Sequence, residues 1–209
     1  MRSESLEKKF LSKILVEKMR KGSVSLKKCI NFLTPFPKEN EKVINSLLEN
    51  REIVKTGDLI DVTDKGRKRV KVVMCGGTFD ILHPGHLLTL KNAKKLGDIL
   101  VVVIAKDETV KKFRKKQPHN KEQKRLELVS ALRFVDLALL GGKGSIYDTL
   151  LKIIPDIVVL GYDQIHNENE IREYAKTHKM RIKVVRLTKR MEGVKSSTLL
   201  KDESLIYEI

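Results

Sequence analysis

The segment Gly76-Gly77-Thr78-Phe79-Asp80-Ile81-Leu82-His83-Pro84-Gly85-His86 follows directly on the apolar run Val72 to Met74. Two glycines at the end of a strand let the backbone approach a ligand and present its N–H groups, and a helix opening near Gly85 adds the partial positive charge of its N-terminus. An anion belongs there. His83 and His86 are three apart, so on a helical turn they share one side and both reach that anion. A second cradle is written near the C-terminus, where Gly193 and then Ser196, Ser197 and Thr198 precede the apolar Leu199-Leu200. Small hydroxyl residues before an apolar run open a helix, and Arg190 just upstream is poised to clamp a phosphate. Gly161-Tyr162-Asp163-Gln164 ends another apolar run, and a glycine followed by polar side chains suits base or ribose recognition through the backbone and Asp163. Lys111, Lys112, Arg114, Lys115 and Lys116 form a cationic run between these places.

Such groups work only when elements bring them together. Apolar stretches at 71–75, 99–105, 136–140, 156–160 and 181–187 are short and rich in Val, Ile or Leu, and helical stretches at 85–96, 121–133, 145–153 and 167–178 lie between them. Strands buried on both faces, with helices as crossovers, predict a five-stranded parallel α/β sheet. Ligands of such sheets bind beyond the carboxyl ends of the strands, where all three segments above fall.

The first 66 residues read differently. Leu6, Phe10, Ile14 and Leu15 at helical spacing, the stretch SLKKCINFL from Ser25, and KENEKVINSLLENR up to Arg51 predict three helices, with Pro35 and Pro37 separating the second from the third. Ile53-Val54, the turn Thr56-Gly57-Asp58, and Leu59 to Thr63 predict a hairpin. Three helices and a hairpin is the order of a winged helix, so we expect a small, mainly α, winged-helix-like domain at 1–66 and the α/β domain at 71–209, with DKGRKRVK at the boundary.

Composition narrows the class. With 41% hydrophobic and 33% charged residues in 209, the chain is too apolar to be disordered and too charged for a membrane protein. MRSESLEKKF lacks the apolar run of a signal peptide, and no stretch reaches the roughly 18 consecutive apolar residues that span a bilayer. Cys29 and Cys75 make no disulfide framework and no zinc spacing, which predicts a reducing, cytoplasmic setting. The net charge of +16 suits an anionic small molecule, nucleic acid or a solvated surface; it is densest in residues 1–70, where 17 basic side chains meet 10 acidic ones.

GGTFDILHPGH resembles the signature of the nucleotidylyltransferase superfamily that carries the H-x-G-H motif on a Rossmann-like fold. The resemblance covers residues 71 to about 200. It implies transfer of a nucleotidyl group from a nucleoside triphosphate, carried with Mg²⁺, to a phosphate or similar acceptor, with pyrophosphate leaving. His83 and His86 would hold the triphosphate and stabilise its growing charge, beside Gly76, Gly77, Thr78, Phe79, Asp80 and Gly85 at the nucleotide. The family keeps lysines in a mobile loop after the second strand, which points to Lys111 or Lys116. QKRLELVSAL is similar to the family's E-Q-R segment and gives Arg125 the place of its arginine, either reaching the nucleotide or pairing with Asp136; Lys124 departs from the usual Gln. RMEGVKSST resembles the R-x-E-G-[IV]-S-[ST]-[ST] segment, with Lys195 where a hydroxyl residue is usual.

Within the superfamily, Gly161-Tyr162-Asp163-Gln164 and the helix after it look most like archaeal FAD synthetases, which implies transfer of AMP from ATP to FMN. Arg190-Met191-Glu192-Gly193 leans toward cytidylyltransferases, using CTP and glycerol 3-phosphate. A flavin needs a flat apolar surface, and Phe79, Phe113 and Tyr162 are the aromatic candidates for it. The N-terminal module would stabilise, dimerise or regulate the enzyme; in the other reading it binds DNA and the α/β domain senses a nucleotide or flavin.

Overall fold

In the computed structural model, which describes residues 2–142, 146–161, 164 and 166–187, the chain divides into two compact units, Met1–Lys71 and Val72–Ile209. The first unit runs α1 (Arg2–Lys21), β1 (Val24–Ser25), α2 (Leu26–Cys29), α3 (Pro37–Glu49), β2 (Ile53–Thr56), β3 (Leu59–Val62) and α4 (Asp64–Arg67). Phe10, Leu11, Ile14 and Leu15 form the buried stripe of α1, and the Phe10 ring lies 5.5 Å from that of Phe32. Two differences from the expected order have local causes. The second helix stops after four residues because the carbonyls of Ile30 and Thr34 turn instead to the buried Asn40 Nδ2, at 2.7 and 2.9 Å. The two-residue β1, too short to show alternation, pairs with β3 and completes an antiparallel sheet of order β1-β3-β2. Gly57, at φ 61°, makes the expected hairpin turn. The basic stretch after it is folded rather than a linker: Thr63 caps α4, and Arg69 is held by Glu7 and Glu52.

The second unit alternates β4 (Val72–Gly77), α5 (Pro84–Lys94), β5 (Ile99–Ile104), α6 (Asp107–Arg114), α7 (Glu122–Ser130), β6 (Leu137–Leu140), α8 (Ile146–Ile153), β7 (Ile157–Leu160), α9 (Glu168–Thr177) and β8 (Lys183–Arg186). Its five strands form a parallel, Rossmann-like sheet of order β6-β5-β4-β7-β8. Val73, Cys75, Leu100, Val102, Ile104 and Val159 alternate onto one face, against Leu90 and Ala93 of α5 and Val129 of α7. Val72, Met74, Ile99, Val101, Val158 and Leu160 occupy the opposite positions and are buried as deeply. That double burial is why the strands read as unbroken apolar runs. The chain leaves β4 toward β5 and β6 on one side, whereas β7 and β8 lie on the other, so the crevice of this sheet opens between the carboxyl ends of β4 and β7. Among the described residues no helix is long and apolar enough to cross a membrane.

Candidate active site

Gly76 and Gly77 are the last residues of β4, paired with Val103 and Ile104 of β5. Beyond them Phe79 adopts φ 51° while 3% exposed, a left-handed conformation that costs a non-glycine residue about 1 kcal/mol or more. Its ring is closely packed: a Cβ on Gly77 would sit 2.7 Å from it, and the His86 ring centroid is 5.2 Å away. His86 in turn lies 3.9 Å from the His83 ring. His83 is the N-cap of α5 with Pro84 at the first helical position, and His86 N–H donates to the His83 carbonyl at 2.9 Å. The helical turn therefore places the two imidazoles side by side, as their spacing predicts, at the helix N-terminus beside the end of β4. Gly85 leaves room for this pair, since a Cβ there would lie 3.0 Å from the His83 ring. Gly76 is more open; its nearest neighbour to a Cβ is the Val103 carbonyl at 3.7 Å.

A polar brace lies around this loop. Asp80 accepts from the N–H groups of His119 and Asn120, both at 2.8 Å, and Asn120 Nδ2 returns to the Asp80 carbonyl. Arg125, 0% exposed, does not pair with Asp136, which takes Lys94 at 2.6 Å. Its guanidinium donates to the carbonyls of Thr78, Ala105 and Asn120 and to Asp107 Oδ1 at 2.8 Å. Each of its nitrogens is bonded to protein and the side chain is sealed from solvent, so in this structure Arg125 braces the loop that carries the motif. Thr78 contributes a carbonyl to that brace. The Asp107 N–H, at the start of α6, is capped by Glu122 at 2.7 Å.

Lys111 lies within α6, where a loop was expected, and Lys116 follows the left-handed Lys115 that ends this helix at φ 56°. Both are exposed.

At the end of β7, Gly161 is buried and Gln164 Nε2 donates to the Gly76 carbonyl, linking the two sides of the crevice. Arg186, at the end of β8, went unnoticed in the sequence. Its guanidinium donates to the carbonyls of Gly161 and Gln164, each at 3.0 Å, to that of His166 at 2.8 Å, and to Glu168 Oε1 at 2.8 Å. The signal was present: an arginine at the carboxyl end of an apolar strand, beside the crevice, has a loop to hold. Tyr162, Asp163, Arg190, Ser196, Ser197 and Thr198 lie outside the described residues. Burial pushes the Cys75 thiol up to about 12 and that of Cys29 to about 11, so neither supplies a thiolate nucleophile. Among the described residues no group of three or more His, Cys, Asp or Glu is gathered to hold a metal ion.

Comparison with known proteins agrees with this geometry. The family profile described as cytidylyltransferase-like matches residues 74–202. An FAD synthase of Aciduliprofundum boonei is 50% identical over 117 residues, spanning 56% of this chain and 78% of that protein. An FAD synthase of Picrophilus torridus is 44% identical over 126 residues, 60% of this chain and 90% of that one. Among solved structures, one described as a lipopolysaccharide core biosynthesis protein from Thermoplasma volcanium is 43% identical, with a TM-score of 0.56, covering 58% of this chain and 99% of that one.

Proposed function

Because the chain belongs to the cytidylyltransferase-like family, we infer that its Rossmann-like unit is an FMN adenylyltransferase, transferring AMP from ATP to FMN with release of pyrophosphate. The observation that carries this reading is the 50% identity to an FAD synthase over 117 residues. Mg²⁺ would be brought in with ATP rather than held by a cluster of protein ligands, and would supply neutralisation of the triphosphate charge. A phosphate oxygen of FMN attacks the α-phosphorus in line, the bond from that phosphorus to the bridging oxygen breaks, and pyrophosphate departs with the electron pair.

The protein's part is placement and charge. His83 and His86, at the N-terminus of α5, neutralise the leaving pyrophosphate, aided by Lys111 or Lys116 and by Arg190. Gly76, Gly77, Phe79, Asp80 and Gly85 shape the nucleotide cradle, and Gly161, Tyr162, Asp163 and Gln164 take the base and ribose. Ser196, Ser197 and Thr198 add a second phosphate cradle. A winged-helix reading of the first unit is supported by its order of helix, strand, two helices and hairpin.

Pyrophosphate release is measured with ATP or CTP crossed against FMN, glycerol 3-phosphate and 4'-phosphopantetheine. We expect release with ATP and FMN. Release with CTP and glycerol 3-phosphate in its place would make the chain a cytidylyltransferase of the other branch.

A further inference from the structure

The stretch from Asp107 to Asn120 is anchored at both ends on the motif loop, and its middle lies open to solvent. Its first residue bonds Arg125, which also holds the Thr78 carbonyl, and its last two give their N–H groups to Asp80. Residues 111–117 between these anchors are all exposed and read Lys-Lys-Phe-Arg-Lys-Lys-Gln.

Along α6, Asp107, Val110 and Phe113 stand three apart on one face. The first is bonded to Arg125, the second is buried, and the third is 56% exposed, so this face runs off the core at Phe113. The other described rings of the unit have neighbours. Phe79 lies against His86, Phe134 packs on the core, and Tyr147 and Tyr174 stack on each other at 4.2 Å. Phe113 has the Lys112 ammonium 5.9 Å from its centroid. A ring left in water forgoes the stabilisation of burial. With Lys112 beside it, in an exposed run of five cations whose ends are tied to the motif loop, it suits a ligand that is flat and anionic at once.

Resting on the flavin reading above, we propose that Phe113 and its neighbouring cations form the acceptor subsite, which takes FMN. The ring covers one face of the isoalloxazine, and the lysines and Arg114 draw its phosphate toward the histidine pair. Phe79 is too deeply buried to serve.

The test is steady-state kinetics on the full chain with Phe113→Ala and Phe113→Tyr. Stacking on an exposed aromatic is worth about a tenfold change in affinity. Phe113→Ala is therefore expected to raise the KM for FMN about tenfold, with the KM for ATP and the melting temperature unchanged, and Phe113→Tyr to restore it. An unchanged FMN KM in the alanine variant, while the wild type makes FAD, overturns the proposal and leaves the activity assignment standing. The same holds if that variant instead loses affinity for a labelled single-stranded oligonucleotide. A wild type that makes no FAD removes the assignment and the proposal together.

Discussion

His86, which our proposal sets against the leaving pyrophosphate, is the residue whose replacement tests that proposal most sharply at this scale. Removing a preorganised charge-stabilising contact costs about 10²- to 10³-fold in turnover, so His86→Ala should lose at least two orders of magnitude in pyrophosphate release with its melting curve intact. Neighbouring glycines separate in the same assay. A Cβ on Gly77 drives into the Phe79 ring at 2.7 Å, and that ring lies 5.2 Å from His86, whereas one on Gly76 meets its first neighbour at 3.7 Å. Gly77→Ala should lower turnover far more than Gly76→Ala, and equal effects would show that Phe79 does not set the imidazole. The adjacency of the two histidine rings was legible in the sequence because a spacing of three on a helical turn dictates it. The place of Phe79 was not, because nothing in a row of letters distinguishes a ring that faces the crevice from one packed behind His86.

Between elements the site is held by arginines. Arg125 joins the ends of β4 and β5, the start of α6 and the turn at Asn120, and truncating a buried charge of this kind costs about 3–5 kcal/mol because its partners are left unsatisfied. Arg125→Ala should therefore lower the urea midpoint well before any question of turnover arises. Arg186 holds the loop after β7, and that loop should respond to acid. Burial, with the Arg186 guanidinium beside it, keeps His166 below its ordinary 6.5, and the hydrogen bond from Arg186 keeps Glu168 below its ordinary 4.5. Both groups bind fewer protons folded than unfolded, so their contribution is present at neutral pH. It declines as pH falls below 6.5, where unfolded His166 takes a proton, and again below 4.5 for Glu168. The urea midpoint should drop between pH 7.5 and 5.5, and drop less in His166→Gln; an equal drop removes His166 from the account. These braces escape a sequence reading because each spans tens of residues. The strands did not, since burial on both faces writes itself as apolar runs. Helix α6 did, since Val110 and Phe113 are the only apolar residues of DETVKKFR and two positions are too few to mark a periodic stripe, although acids in its first turn and bases in its last marked both ends.

At the scale of the molecule, the described parts of the proposed site, from Gly76 to Arg186, belong to Val72–Ile209. The core of that unit closes on its own residues, with Val73, Leu100, Val102 and Val159 packed against Leu90 and Val129. A unit with its own core folds alone, so a chain beginning at Lys71 should be soluble and release pyrophosphate at a rate near that of the full chain. Folding without activity would mean that the first unit supplies part of the site. Comparing the full chain with that truncation also tests the nucleic-acid reading of the basic N-terminal unit. The exposed residues of α3 include Glu39, Glu41 and Glu49 against Lys38 and Lys42, a poor face to lay against phosphates despite the +7 of residues 1–70. Binding through phosphate contacts weakens steeply with salt, at a slope of about 0.9 per contact on duplex DNA. The first unit is accordingly expected to shift a DNA duplex weakly at low salt and without sequence preference; a shift that survives physiological salt would restore the regulator reading and give that charge a target.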